Sequence, residues 1–201
     1  MSKTIDYFLA PQSPWTYLGH ARLQTLLAQA GAQVRVMPMD LGKVFPVSGG
    51  LPLGQRAPQR QAYRLVELAR FKEALQLPLN LKPQFFPVAG DDASRLIIAV
   101  DMAHGSDAAM RITGAILSAV WAQERNIADP QVLSALLQEQ QLPATCMDAS
   151  RQSDVQARYE HNTQLAIEAQ VFGSPSYVVD GEIFWGQDRL DFVAKKLLGS
   201  A

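Results

Sequence analysis

Thiols are almost missing from this chain: Cys146 is its one cysteine. A single cysteine excludes an internal disulfide, a zinc cluster and a dithiol redox pair. An excess of one charge is missing too, since 18 Lys and Arg face 19 Asp and Glu. No block of like charge stands out, so nothing points to a nucleic acid or an acidic membrane surface as partner. Long apolar runs are also lacking. Those around 96–100 and 112–121 are too short or too interrupted to span a bilayer. The start, Met1-Ser2-Lys3-Thr4, leads straight into a strand pattern with no apolar leader, and a cytoplasmic protein is expected. His20, His104 and His161 are scattered without metal-ligand spacing, and surface or helix roles are expected for them. There is no internal repeat and no low-complexity stretch. What remains is a chain of 201 residues, long enough for one substantial core or for a domain with a large insertion.

The patterns that are present begin with a strand over 4–9. A helix over 14–30 follows, with Tyr17, Leu18, Ala21, Leu23, Leu26 and Leu27 as its apolar face and Gly31 as its C-terminal stop. Residues 33–39 read as a second strand, which completes a β-α-β unit with parallel strands. Residues 40–57 carry four glycines and two prolines and read as a long loop, a kind of connection that is often functional. A helix is predicted over 58–77, with Tyr63, Leu65, Val66, Leu68, Ala69 and Phe71 at helical spacing. An extended, proline-punctuated segment with Phe85 and Phe86 comes next. Helices then follow over about 93–104, 108–125 and 130–140, and another from Asp148 or Ser150 to about 170. Trp121 is assigned to the core of this block, and Cys146 to an inert position between helices. At the tail, strands over 177–179 and 182–185 flank the hairpin turn Asp180-Gly181. A last helix over 188–198 turns Leu190, Phe192, Val193, Leu197 and Leu198 inward. The order is β-α-β, a helical block, then β-β-α. This is the layout of an α/β thioredoxin-like fold carrying a large all-helical insertion. It divides the chain into a thioredoxin-like domain, 1–50 with 165–201, and an inserted helical domain, 51–164.

The chemistry centres on Ser13-Pro14-Trp15-Thr16, where thioredoxin-like oxidoreductases carry two cysteines. With the dithiol absent, disulfide exchange at this site is excluded and a hydroxyl is left at the helix mouth. Taken alone, Ser13 reads first as a helix cap followed by a proline at the first helical position. It can also donate to a bound thiolate, which the positive helix end favours in its ionised form. Pro175, after Ser174, reads either as a turn proline or as the cis proline that faces the helix mouth in such folds.

Four segments together carry a resemblance. They are Ser13-Pro14-Trp15-Thr16-Tyr17-Leu18, Arg56 with the helix after it, Val171-Phe172-Gly173-Ser174-Pro175, and Phe184-Trp185-Gly186-Gln187-Asp188-Arg189-Leu190. The chain resembles the 2-hydroxychromene-2-carboxylate isomerase family, which is similar to kappa-class glutathione transferases and to the DsbA-like thioredoxin fold. The resemblance covers essentially the whole chain. It implies glutathione as cofactor and the interconversion of 2-hydroxychromene-2-carboxylate with trans-o-hydroxybenzylidenepyruvate in naphthalene-type degradation. It implies Ser13 at the glutathione sulfur, Ser174 and Pro175 at the cysteinyl part, and Trp185, Gly186, Gln187 and Asp188 at the γ-glutamyl end. On the substrate side it implies Lys43, Gln55, Arg56 and Phe86, with Arg56 as the first candidate for the substrate carboxylate. The family's lysine in the loop after the second strand has no counterpart in place; Pro46 stands there, and Lys43 is the nearest lysine. Gln55-Arg56 replaces an Asn-containing stretch. A homodimer is implied as well. Two other functions fit the same thiol site: a kappa-type glutathione transferase or peroxidase, and a non-catalytic thiol- or peptide-binding module on a DsbA-like scaffold.

Overall fold

A computed structural model describes residues 3–199. Met1 and Ser2, part of the lead read above, lie outside them. The chain runs β1 (Thr4–Leu9), α1 (Pro14–Ala30), β2 (Gln33–Pro38), α2 (Leu41–Ser48), α3 (Pro58–Leu75), α4 (Asp91–His104) and α5 (Ser106–Trp121). It continues through α6 (Pro130–Glu139), α7 (Thr145–Ala149), α8 (Ser153–Glu168), β3 (Ser176–Val179), β4 (Glu182–Trp185) and α9 (Leu190–Leu198). The four strands form one sheet in the order β2-β1-β3-β4. β1 is parallel to β2 and antiparallel to β3, and β3 pairs antiparallel with β4. This is the thioredoxin-like arrangement, with helices inserted between its β-α-β and β-β-α halves.

Alternation along the strands sends side chains to both faces of the sheet. Ile5, Tyr7, Leu9, Val34, Val36, Tyr177 and Val179 enter the larger core with residues of α1, α4, α5 and α9. Phe8, Met37 and Val178 point the other way and pack with Val44 of α2 and Ala166 of α8. A sheet covered on both faces explains why residues 7–9, 36–38 and all of β3 are buried without a break. Trp121 is fully buried in the larger core.

Three expectations are corrected. Residues 40–57 are not a structureless loop: they contain α2 and a 3-10 turn at Leu53–Gln55. Asp40 caps α2 by accepting from the Gly42 amide at 2.7 Å, and its own amide donates to Thr163 Oγ1 of α8 at 3.0 Å. Pro46 sits inside this helix, where an interior proline costs about 3 kcal/mol. Val44 is fully buried, a gain of about 1.5–3 kcal/mol, and tertiary burial thus offsets the local breaker. Second, Cys146 lies buried within α7 rather than between helices, and α8 starts at Ser153. Third, Phe192 and Leu198 of α9 are exposed, as are Tyr63 and Val66 of α3. At 100° per residue, Phe192 falls on the opposite side from Leu190, Val193 and Leu197, which are the buried positions.

His20 is on α1 as expected, but it is buried rather than on the surface. Its Nε2 is 2.9 Å from the Met110 carbonyl, which only accepts, so this nitrogen carries the proton. Nδ1 is then the acceptor for the Tyr7 hydroxyl at 3.2 Å. Tyr7 in turn stacks on Tyr177, with centroids 5.6 Å apart. The neutral ring is fully paired, and burial pushes the His20 pKa down from about 6.5 to about 4.

Among the described residues no helix is long and apolar enough to cross a membrane, and no cluster of His, Cys, Asp and Glu could hold a metal ion.

The His20 pair of pKa values sets a pH dependence. The unfolded chain binds the imidazole proton near pH 6.5 and the folded chain only near 4, so stability falls as pH drops between these values. Denaturant unfolding at pH 7 and pH 5 should differ by about 1–2 kcal/mol from this residue. A His20→Gln variant should lose most of that slope; an unchanged slope would assign it elsewhere.

Candidate functional site

The site is assembled where the β1–α1 turn meets the turn before β3. Ser13 has extended backbone angles and accepts from the Thr16 amide at 3.2 Å, with Pro14 opening the helix. This is the capping geometry that Ser-Pro favours. The Ser13 hydroxyl donates to the Ser174 carbonyl at 3.2 Å. Ser174 answers with its side chain: Oγ accepts from the Ala10 amide at 2.8 Å and shares a hydrogen bond of 2.8 Å with Thr16 Oγ1. All three hydroxyl residues are buried.

The Ser174-Pro175 peptide is cis. The Pro175 carbonyl accepts from the Gly186 amide at 2.9 Å, and Ser176 pairs with Trp185 across the hairpin. These bonds bring Trp185, Gly186, Gln187 and Asp188 alongside Ser174. Gly186 makes the turn at φ 104°, a conformation that residues with a Cβ avoid. Gln187 is buried, and Arg22 of α1 donates to its Oε1 at 3.1 Å and to its backbone carbonyl at 3.3 Å. Its Nε2 is buried with no partner. Trp185 is half exposed and packs against Phe172, with centroids 4.7 Å apart.

A cavity of about 480 Å³ opens here, within the usual size of a small-molecule site. Ser174 and the stretch from Trp185 to Asp188 form one wall. α3 forms the other, with Tyr63, Arg64 and Phe71, and Trp15 bridges the two. Trp15 meets Phe71 edge-on at 6.1 Å. The exposed side of α3 is thus a cavity wall, which is why Tyr63 stays out of the core. A larger cavity, about 1170 Å³, lies around Gly31 and the start of α5 and contains none of the expected residues.

Of the residues singled out from the sequence, Ser174, Trp185, Gly186, Gln187, Asp188 and Arg56 line the smaller cavity. Ser13 does not line it but sits directly behind Ser174 as its hydrogen-bond partner. Lys43 and Gln55 are exposed on α2 and on the 3-10 turn, away from the lining. Phe86 is behind the wall, 4.8 Å from Trp121. Sequence reasoning missed Arg60 and Arg64. Their signal was legible: cations at 56, 60 and 64 recur at the spacing of one helix face. Burial and the neighbouring Arg60 lower the Arg56 pKa. Burial and Arg56 lower that of Arg64 to about 10, which leaves it charged at neutral pH. The cavity therefore combines a helix N-terminus with four guanidinium groups, of which Arg189 is paired with Asp188, a setting for an anion.

The profile of the DSBA-like thioredoxin domain matches residues 4–198. A 2-hydroxychromene-2-carboxylate isomerase from Pseudomonas sp. (strain C18) is 30% identical over 205 residues, 98% of this chain and 91% of the relative. Glutathione S-transferase kappa 1 from Rattus norvegicus is 22% identical over 204 residues, 96% of this chain and 89% of the relative. A solved structure of a 2-hydroxychromene-2-carboxylate isomerase superposes with a TM-score of 0.79 at 22% identity, covering 96% of this chain and 94% of that one.

Ser174→Ala leaves the Ala10 amide buried without an acceptor. Unfolding in urea should show a loss of about 1–3 kcal/mol. A loss below a few tenths would mean that the two turns are held by other contacts.

Proposed function

The chain belongs to the DsbA-like thioredoxin-domain family and to the 2-hydroxychromene-2-carboxylate isomerase family within that fold, and on that premise we propose that it is a glutathione-dependent cis–trans isomerase of 2-hydroxychromene-2-carboxylate and trans-o-hydroxybenzylidenepyruvate. The observation that carries the proposal is the helix mouth. Ser13 caps a helix with its hydroxyl against the carbonyl of Ser174, which lines a cavity of small-molecule size, and the chain's one cysteine, Cys146, lies in α7.

The residues present fit the tripeptide. Gln187 lines the cavity, and its buried amide nitrogen has no partner among the described residues, which leaves a donor for a ligand carboxylate or carbonyl. Bound glutathione supplies a sulfur nucleophile whose reversible addition turns the conjugated double bond into a single bond about which rotation is easy. The protein's part is positioning. Ser13 turns its hydroxyl from the Ser174 carbonyl to the sulfur and, with the helix end, favours the ionised form. That turn frees the Ser174 carbonyl to accept the cysteinyl amide of the ligand. Trp185, Gly186, Gln187 and Asp188 hold the γ-glutamyl end. Arg56 attracts the anionic substrate to the cleft. Trp15 and Phe71 supply a flat apolar wall for its ring. The same reading makes the protein a cytoplasmic homodimer acting in naphthalene-type aromatic degradation.

A spectrophotometric assay with trans-o-hydroxybenzylidenepyruvate, with and without glutathione, tests the proposal. Turnover should require the thiol, and Ser13→Ala should lower it roughly tenfold or more. Equal turnover without glutathione, or an unaffected Ser13→Ala variant, would remove the thiol role.

A further inference from the structure

Arg56, Arg60 and Arg64 all line the cavity, and among the described residues none of them takes part in an ion pair. The two carboxylates of the lining are already engaged. Glu67 accepts from Arg70 at 2.6 Å, and Asp188 from Arg189 at 2.7 Å. The three arginines differ in how they are held. Arg56 donates through Nε to the Leu51 carbonyl at 2.8 Å and so is tied to its own loop. Arg60 is exposed. Arg64 is half buried, with its guanidinium carbon 5.1 Å from the Phe86 centroid and 5.6 Å from that of Trp121. Its Nη2 is shut off from solvent without an acceptor, and among the described residues none of its donors has a partner.

An aromatic wall holds a guanidinium in place by its face and satisfies none of its N–H groups. A partly desolvated cation with all its donors unspent is costly unless something accepts from it. Planar, two-point geometry suits a carboxylate or a phosphate, and the aromatic residues around it favour the carboxylate of an aryl acid. Four aromatic residues, Trp15, Tyr63, Phe71 and Trp185, share the lining with these cations. We propose that Arg64 is the carboxylate-binding residue of this cleft, selecting aryl-substituted α-keto acids, while Arg56 acts at the rim. The substrate class rests on the isomerase reading. The burial of Arg64 and its unspent donors do not.

Titration calorimetry with 2-oxo-4-phenylbutanoate and its methyl ester, without glutathione, tests this. The saturated acid cannot isomerise, so failure of the turnover assay and failure here are separate results. The acid should bind wild-type protein at least tenfold more tightly than the ester. Arg64→Met should weaken the acid tenfold or more and leave the ester unchanged, with partial recovery in Arg64→Lys. Glutathione affinity should stay the same in both variants. Thermal melting separates ligand binding from packing, since removing an unpaired buried cation should keep or raise Tm in Arg64→Met. Acid binding within twofold of wild type in Arg64→Met, with or without a lowered Tm, would overturn the proposal. So would weakened glutathione binding with acid binding intact, and so would equal binding of acid and ester by the wild type.

Discussion

Ser174 ties together two turns that are about 160 residues apart in the chain. Its hydroxyl holds the Ala10 amide and Thr16, and its carbonyl holds the Ser13 hydroxyl. Everything in the cleft depends on this junction. The β1–α1 turn sets the helix mouth, and the turn before β3 delivers the stretch from Trp185 to Asp188. Neither turn alone makes a cavity. These polar groups are buried, so leaving any one unpaired carries the full desolvation cost. The junction is therefore specific as well as stable. Arg22 adds a second tie, from α1 to Gln187 and Asp191.

The cleft is polarised by design of its walls. One side presents backbone and hydroxyl groups near a helix N-terminus, suited to an extended, polar ligand. The other side, α3, presents aromatic faces and cations that the protein does not neutralise. Burial, together with a like-charged neighbour, lowers the pKa of Arg56, beside Arg60, and of Arg64, beside Arg56. Such an arrangement raises the energy of the empty protein and is relieved by an anionic occupant. On the proposed reading, a thiol held at one wall meets an acidic aromatic electrophile held at the other.

Much of the fold was legible in the sequence because it is written in local chemistry. Ser13-Pro14 opens α1, and Gly31 closes it in the left-handed conformation. Asp129-Pro130 opens α6. Asp180-Gly181 makes the β3–β4 turn, with both residues at positive φ. Misreadings arose where tertiary burial outweighed local signals. Glycines and a proline hid α2, which Val44 anchors from the side of the sheet away from α1. Phe192 looked like core by its chemistry and is exposed because its angular position on α9 faces outward. On α3, Tyr63 stood at the helical spacing of a core residue and is exposed, because its side of the helix lines the cavity.

By itself, then, the sequence determined the order of elements, the caps that start and stop them, and the absence of any dithiol at the helix mouth. These are properties of neighbouring residues, set within a turn or two of the chain. The tertiary structure alone decided which distant groups share a cavity. Lys43 and Gln55 were read from the sequence as substrate residues and Arg64 was not, yet the first two are exposed and Arg64 lines the cavity, its guanidinium against Phe86 and Trp121 behind the wall. The packing of α3 against α1, across the cavity from the tail, fixes that outcome, and packing is a long-range property that local spacing does not encode.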